Sequence, residues 1–376
     1  MNIFKIATLS LLITSFASCK RSNVEGPNKA PSNISASSGF TCGTLATNLA
    51  SADFSLNLPF YFTATFTEVV TWKIELTGQS STATKTISGT SSVIDATNSS
   101  WTGNHDGLYF FEQGETVTAN LIISGKAGVC TSTTFVIGAA RDAKTATPTF
   151  MLAANTGPNT SDFEGSLTFP YLFNIGGTTV NTLQNQTIRA PEGTHYVHIE
   201  GVSTAVNGFF VGGLQCRKDQ TAATHFFPAT WTDPTKIYLN VYVRGIDHLP
   251  AGNFPYATLN FECHEDDNLN MSTAANCPTY AYPGGGNADS FCPATEDAWV
   301  FTIPVRHIGW QLFSCKYSDL TPSADFANGG FGNKKLEPQK VCRIQFGMIS
   351  SPPFNRVSVD MDYACFTYGA PYDPKK

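Results

Sequence analysis

Charge is scarce in this chain: of 376 residues, 23 are Lys or Arg and 29 are Asp or Glu, for a net charge of −6. A lightly charged, net acidic chain lacks the basic surface that nucleic acid requires, so nucleic acid is excluded as a partner. Disorder is excluded as well, because 41% of the residues are hydrophobic and 12% aromatic. No segment shows the apolar spacing of a long helix. After the leader no run of about 18 apolar residues occurs, so no membrane-spanning helix is expected. Signatures of catalysis are missing too: there is no GxSxG elbow, no HExxH, no GxxxxGK[ST] loop and no GxGxxG at a strand-to-helix turn. Without a CxxC pair, zinc has no ligand box.

What remains is rich in Phe (28) and Gly (31), with Ser, Thr and Asn between β-branched residues, the composition of an exported β-protein. The length suggests two domains. Residues 1–18 read as a signal peptide, with Lys5 ahead of an apolar stretch and small residues before Cys19. Phe16-Ala17-Ser18-Cys19 is similar to a bacterial lipobox, which implies lipidation at Cys19; ordinary cleavage is the alternative. Residues 19–38, rich in Pro, Asn and Ser, then form a lipidated tether, and the membrane is reached through lipid only.

Export permits disulfides. Of ten cysteines, Cys42 and Cys130 flank the N-terminal strand region and are expected to pair. Cys277 and Cys292 bracket a Gly-rich loop that a bridge would restrain, and Tyr280 and Tyr282 inside it either contact ligand or pack the loop. Cys216, Cys263, Cys315, Cys342 and Cys365 cannot be paired from spacing.

Short alternating runs separated by turn residues over 39–138 predict a β-sandwich. Its WKIEL strand (Trp72–Leu76) and GETVTANLIISG stretch look like Ig-like or PKD-like modules of bacterial surface proteins. Residues 139–160 read as a linker. Residues 161–376 carry eight or nine further strand candidates with loops of irregular length, which favours a jelly roll. Here DFEG (Asp162–Gly165), GWQLFSCKYSDLT (Gly309–Thr321), LEPQKVCRIQFGM (Leu336–Met348) and VSVDMDYACF (Val357–Phe366) together resemble a galactose-binding-like jelly roll, a fold common in carbohydrate-binding modules. The fold class expected is all-β: an N-terminal Ig-like β-sandwich followed by a galactose-binding-like β-jelly roll. The resemblance also implies a structural calcium shared by Glu164 and Asp360, with Asp162 and Asp362 as substitutes; a plain hydrated carboxylate pair is the alternative.

Ligand chemistry concentrates on IYLNVYVR, residues 237–244. Alternation puts Ile237, Leu239, Val241 and Val243 on a core face and Tyr238, Asn240, Tyr242 and Arg244 on the other. Flat rings beside an amide and a guanidinium suit a sugar, whose C–H faces stack and whose hydroxyls bond. The next strand alternates likewise, with Asn260, Glu262 and His264 outward, and the two polar faces are expected to line one concave glycan groove. Turn residues around Trp231 make it a candidate exposed platform, whereas Trp310 is expected to pack at the start of a core strand. The same residue types also serve a solvated β-surface. Glu262, Glu265, Asp266 and Asp267 lie at a strand end, without the facing acids of a glycoside hydrolase. The seven histidines show no convergent pattern, and His195 and His198 are expected on opposite faces.

The sequence therefore suggests a non-catalytic, lipid-anchored outer-membrane protein, resembling surface glycan-binding lipoproteins. Polysaccharide or oligosaccharide is the ligand, and an outer-membrane transporter complex the implied partner. An adhesin or structural protein competes. An open Tyr238/Tyr242 face favours the first reading, and a face buried against the first domain favours the second. Lys20 and Arg21, where exported relatives often carry acids, leave a periplasmic location open.

Overall fold

The computed structural model describes residues 36, 39–55, 59–141, 149–151, 163, 171–174, 179–184, 188–202, 210–217, 226–246, 256–265, 297–323, 333–351 and 356–376. Cys19, the signal peptide, Glu164, Asp162 and the Cys277–Cys292 loop lie outside them. The described chain is built almost wholly of strands, which form two units with separate hydrophobic cores.

The first unit contains β1 (Ala46–Thr47), β2 (Ser51–Asp53), β3 (Phe62–Gly78), β4 (Thr84–Ile94), β5 (Thr116–Ile123) and β6 (Thr131–Ala139). They pair in the order β1-β3-β5-β6-β2, with β4 on the other side of β3. Strict alternation in β3 sends Phe62, Ala64, Phe66, Val70, Trp72, Ile74 and Leu76 inward. A register shift between Thr65 and Val70 bends this 17-residue strand over its core. Gly89 is required where β4 crosses Trp72, since an added Cβ would stand 2.6 Å from the indole. Trp101 is buried among Phe54, Phe111 and Phe135, with ring centroids 4.8, 4.9 and 5.8 Å away.

The second unit stacks two six-stranded sheets. The first sheet runs β15 (Gly309–Lys316), β12 (Ile237–Gly245), β18 (Arg356–Tyr368), β10 (His195–Val202), β9 (Thr179–Gln184), with β7 (Thr149–Met151) also on β18. The second runs β16 (Thr321–Pro322), β14 (Asp297–Val305), β13 (Tyr256–Glu265), β17 (Val341–Ser351), β11 (Phe210–Arg217), β8 (Tyr171–Asn174). Their inner faces share one core, in which Phe261 of one sheet meets Phe366 of the other at 5.8 Å. This is the jelly-roll-type sandwich expected from the strand pattern, and β7, inside the expected linker, belongs to it.

A third apolar cluster joins the units. Phe110 of the first packs on Tyr242, Tyr363 and Tyr372 of the second, at 6.2, 4.7 and 6.2 Å between centroids. Tyr363 reaches it through a β-bulge: Met361, Ala364 and Phe366 enter the core, whereas Tyr363, at φ 45°, turns outward. Polar clamps surround the cluster. Arg189 bonds Glu112 and the Ser80 carbonyl, and the His105 amide donates to Pro374 O at 3.0 Å. Burial lowers the His105 imidazole to about 4, so it is neutral at this contact in neutral solution.

Cys42 and Cys130 are bridged, as expected, across 88 residues of sequence. Replacing both with Ser should lower stability by about 2–4 kcal/mol, read as an earlier urea midpoint with an unchanged slope.

Candidate ligand-binding faces of the second unit

The core side of β12 is as expected, with Ile237, Leu239, Val241 and Val243 all buried. Its other side is largely closed. Asn240 is fully buried: its amide donates to Thr367 Oγ1 (3.1 Å), and its carbonyl accepts from Ser314 Oγ (2.7 Å) and the Tyr372 amide (2.9 Å). Tyr242 is buried under Phe110, and burial raises its phenol well above the usual value. These two cannot meet a sugar, because the first unit and the 369–376 segment dock on their part of the face. Tyr238 stays partly exposed beneath the Lys316 ammonium, 5.7 Å from its ring.

The expected common groove of β12 and β13 does not exist, since the strands lie in different sheets and their polar sides point away from each other. On β13, Leu259, Phe261 and Cys263 are core as expected. Glu262 and His264, 2% and 0% exposed, are sealed with Gln345: His264 Nε2 lies 3.3 Å and Gln345 Nε2 3.2 Å from Glu262 Oε2. Only Asn260 remains partly exposed, accepting from Thr302 Oγ1 at 3.1 Å. Trp231 is no platform. It is core, stacked on Phe227 at 5.7 Å and against Tyr368 at 5.2 Å, neighbours that its turn context could not reveal.

The structure brings together a different set. Register runs Trp310, Arg244, Asp360, His198 across β15, β12, β18 and β10. Asp360 is fully buried between two side chains, ion-paired to Arg244 and 2.6 Å from His198 Nδ1. Glu200 lies 3.7 Å from His198 Nε2 and 2.5 Å from Arg356. Trp310 closes the row, donating its indole N–H to Arg189 O at 2.8 Å with Tyr196 edge-on at 5.5 Å. Trp310, Arg244, His198 and Glu200 are all partly exposed. The buried carboxylate fixes the guanidinium and imidazole, while the outer faces of both stay accessible for bonding hydroxyls. Arg244 was named from the sequence as a candidate ligand contact, and it lies in this row. His198 was not named, because its convergence with Asp360 depends on pairing 162 residues apart.

The implied calcium does not fit Asp360, whose two oxygens already face Arg244 and His198. Asp362 is likewise engaged, accepting from the Glu192 and Tyr363 amides at 2.8 Å each. Among the described residues no cluster of three or more His, Cys, Asp or Glu is arranged for a metal.

Glu265 and Asp297, cross-strand neighbours, are 0% and 1% exposed, too enclosed to reach a glycosidic bond. Glu265 accepts from Tyr317 Oη and the Glu337 amide, both at 2.7 Å. Burial pushes its carboxyl up to about 7, and the Asp297 charge adds to the rise.

Two outcomes are expected. Because the Glu265 pKa is about 7 when folded against an ordinary 4.5, its contribution is complete below the lower value and lost as pH rises through the upper. That loss is about 3 kcal/mol, and Glu265→Gln should flatten it in urea titrations at about pH 4 and about pH 8. Asp360→Asn, which leaves the Arg244 guanidinium without its buried carboxylate partner, should cost about 3–5 kcal/mol in the same assay at neutral pH.

No protein-family model matches the chain, and no curated protein matches it. Among solved structures, it is similar to a family 11 carbohydrate-binding module from Clostridium thermocellum in complex with a β-1,3-1,4-mixed-linked tetrasaccharide. That likeness has 12% identity, spans 56% of this chain and 95% of the other, and has a TM-score of 0.34. A carbohydrate-binding module of the β-sandwich superfamily, described for promiscuous specificity, matches at 11% identity over 89% of this chain and 98% of its own, with a TM-score of 0.31. The xylan-binding domain of a Paenibacillus barcinonensis protein matches at 11% identity over 56% and 92%, with a TM-score of 0.27. At this level of likeness no ligand carries over to the present chain.

Proposed function

We propose that the protein is a non-catalytic glycan-binding lipoprotein that captures polysaccharide for uptake or degradation. The observation that carries this reading is the register row Trp310, Arg244, Asp360, His198 on the outer face of one sheet, in which Trp310, Arg244 and His198 are partly exposed around the buried Asp360. A partly exposed indole, beside a guanidinium and an imidazole that one buried carboxylate holds, offers an apolar surface and fixed donors on one face. Single sites of this kind bind weakly and gain from repeated ligands.

The signal-like leader and Cys19 support a lipid anchor in the outer membrane. In this reading the first unit is an Ig-like spacer holding the second toward a polysaccharide outside the cell, and an outer-membrane transporter complex receives the captured chain. Lys20 and Arg21 favour the periplasmic face as the alternative orientation.

A second reading, an adhesin or structural surface protein, draws on the burial of Tyr242 against Phe110, which shows that this face does serve protein contacts. That contact closes only the Tyr242 half of the sheet and leaves the Arg244 half accessible.

Native affinity electrophoresis of residues 22–376 through gels containing plant, algal and microbial polysaccharides separates the two. Retardation by at least one polysaccharide is expected, weakened about tenfold or more in apparent Kd by His198→Gln/Arg244→Gln. A wild-type protein that no polysaccharide slows would leave the adhesin reading standing.

A further inference from the structure

The outer face of the first unit carries a feature that a spacer does not need. Thr84, Thr77, Thr118 and Thr134 are consecutive register partners across β4, β3, β5 and β6, a straight row of four threonines. Thr77, Thr84 and Thr134 are exposed and Thr118 partly so. The next row on the same face is Thr86, Glu75, Asn120, Ser132. Farther along, the hydroxyls of Thr71 and Thr90 meet at 3.1 Å. The only charges within these rows and between them are Lys73 and Glu75, which pair with each other at 2.5 Å.

Hydroxyls on such a face repeat at about 4.8 Å across strands and about 7 Å along them. Each can donate and accept. A charged partner finds no counter-charge, because Lys73 and Glu75 neutralise one another. An apolar partner would have to desolvate a dense set of hydroxyls without bonding them. The chemistry that fits is an extended, uncharged surface that is itself dense in hydroxyls.

We propose that this threonine-lined face is a second contact, to the surface of a neutral, particulate polysaccharide, separate from the charged row of the second unit. The proposal rests on the glycan-binding reading and deepens it: the first unit grips the solid and the second unit holds single chains.

The test is co-sedimentation of the whole soluble chain with microcrystalline cellulose and with insoluble chitin. Two quadruple variants at 77, 84, 118 and 134 are compared, Thr→Val and Thr→Ser. Valine keeps the shape and favours strand, so the unit folds; serine keeps the hydroxyl. Pelleting of the wild type on at least one particle is expected, about tenfold weaker in partition for the Val variant and restored in the Ser variant. Both variants should be slowed by soluble polysaccharide in gels as the wild type is. A Val variant that pellets like the wild type, or a wild type that pellets on neither particle, overturns the proposal. Hydroxyl-dependent pelleting without any retardation in gels would support this face while removing the charged row as a glycan site.

Discussion

The contact of Phe110 with Tyr242, Tyr363 and Tyr372 is the constraint on which the arrangement of sites depends. It requires Tyr363 to leave the alternation of β18 and adopt a left-handed φ of 45°, a conformation that disfavours a bulky residue. The packing of four aromatic rings, Tyr242 and Tyr363 buried and Phe110 and Tyr372 partly buried, offsets that strain. One bulged residue thereby decides which part of a sheet is surface. The bulge falls between the pairings of Asn240 and Tyr242, both of which are interior, whereas Arg244 and His198, on either side of the buried Asp360, stay partly exposed.

Periodicity made much of the fold legible. In β12 and β13 the alternation of apolar residues assigned the core face correctly, since burial of one side of a strand leaves a period of two in the sequence. The Cys42–Cys130 bridge was legible for a related reason: only those two cysteines lay in the first unit. The other face of each strand was not legible, because its fate depends on what docks there. Tyr242 and Glu262 read alike as outward polar-side residues, yet one is closed by another unit and the other by a network with His264 and Gln345.

Sheet membership was likewise beyond local pattern. β12 and β13 are adjacent in sequence but belong to opposite sheets, so outward residues on them diverge. The charged row is assembled by pairings between strands far apart in the chain, which is why His198 gave no signal beside its sequence neighbours. Trp231 shows the converse error, since turn residues around it suggested exposure while Phe227 and Tyr368 enclose it.

The buried carboxylate of Asp360 sharpens the functional argument. A charge taken out of water is costly, and a buried ion pair often stabilises no more than apolar residues of the same size. Stability alone thus gives little reason to keep Asp360, Arg244 and His198 together on this face. The arrangement does give the Arg244 guanidinium and the His198 imidazole a fixed direction, each still partly exposed. Preorganised donors lose little freedom when a ligand arrives.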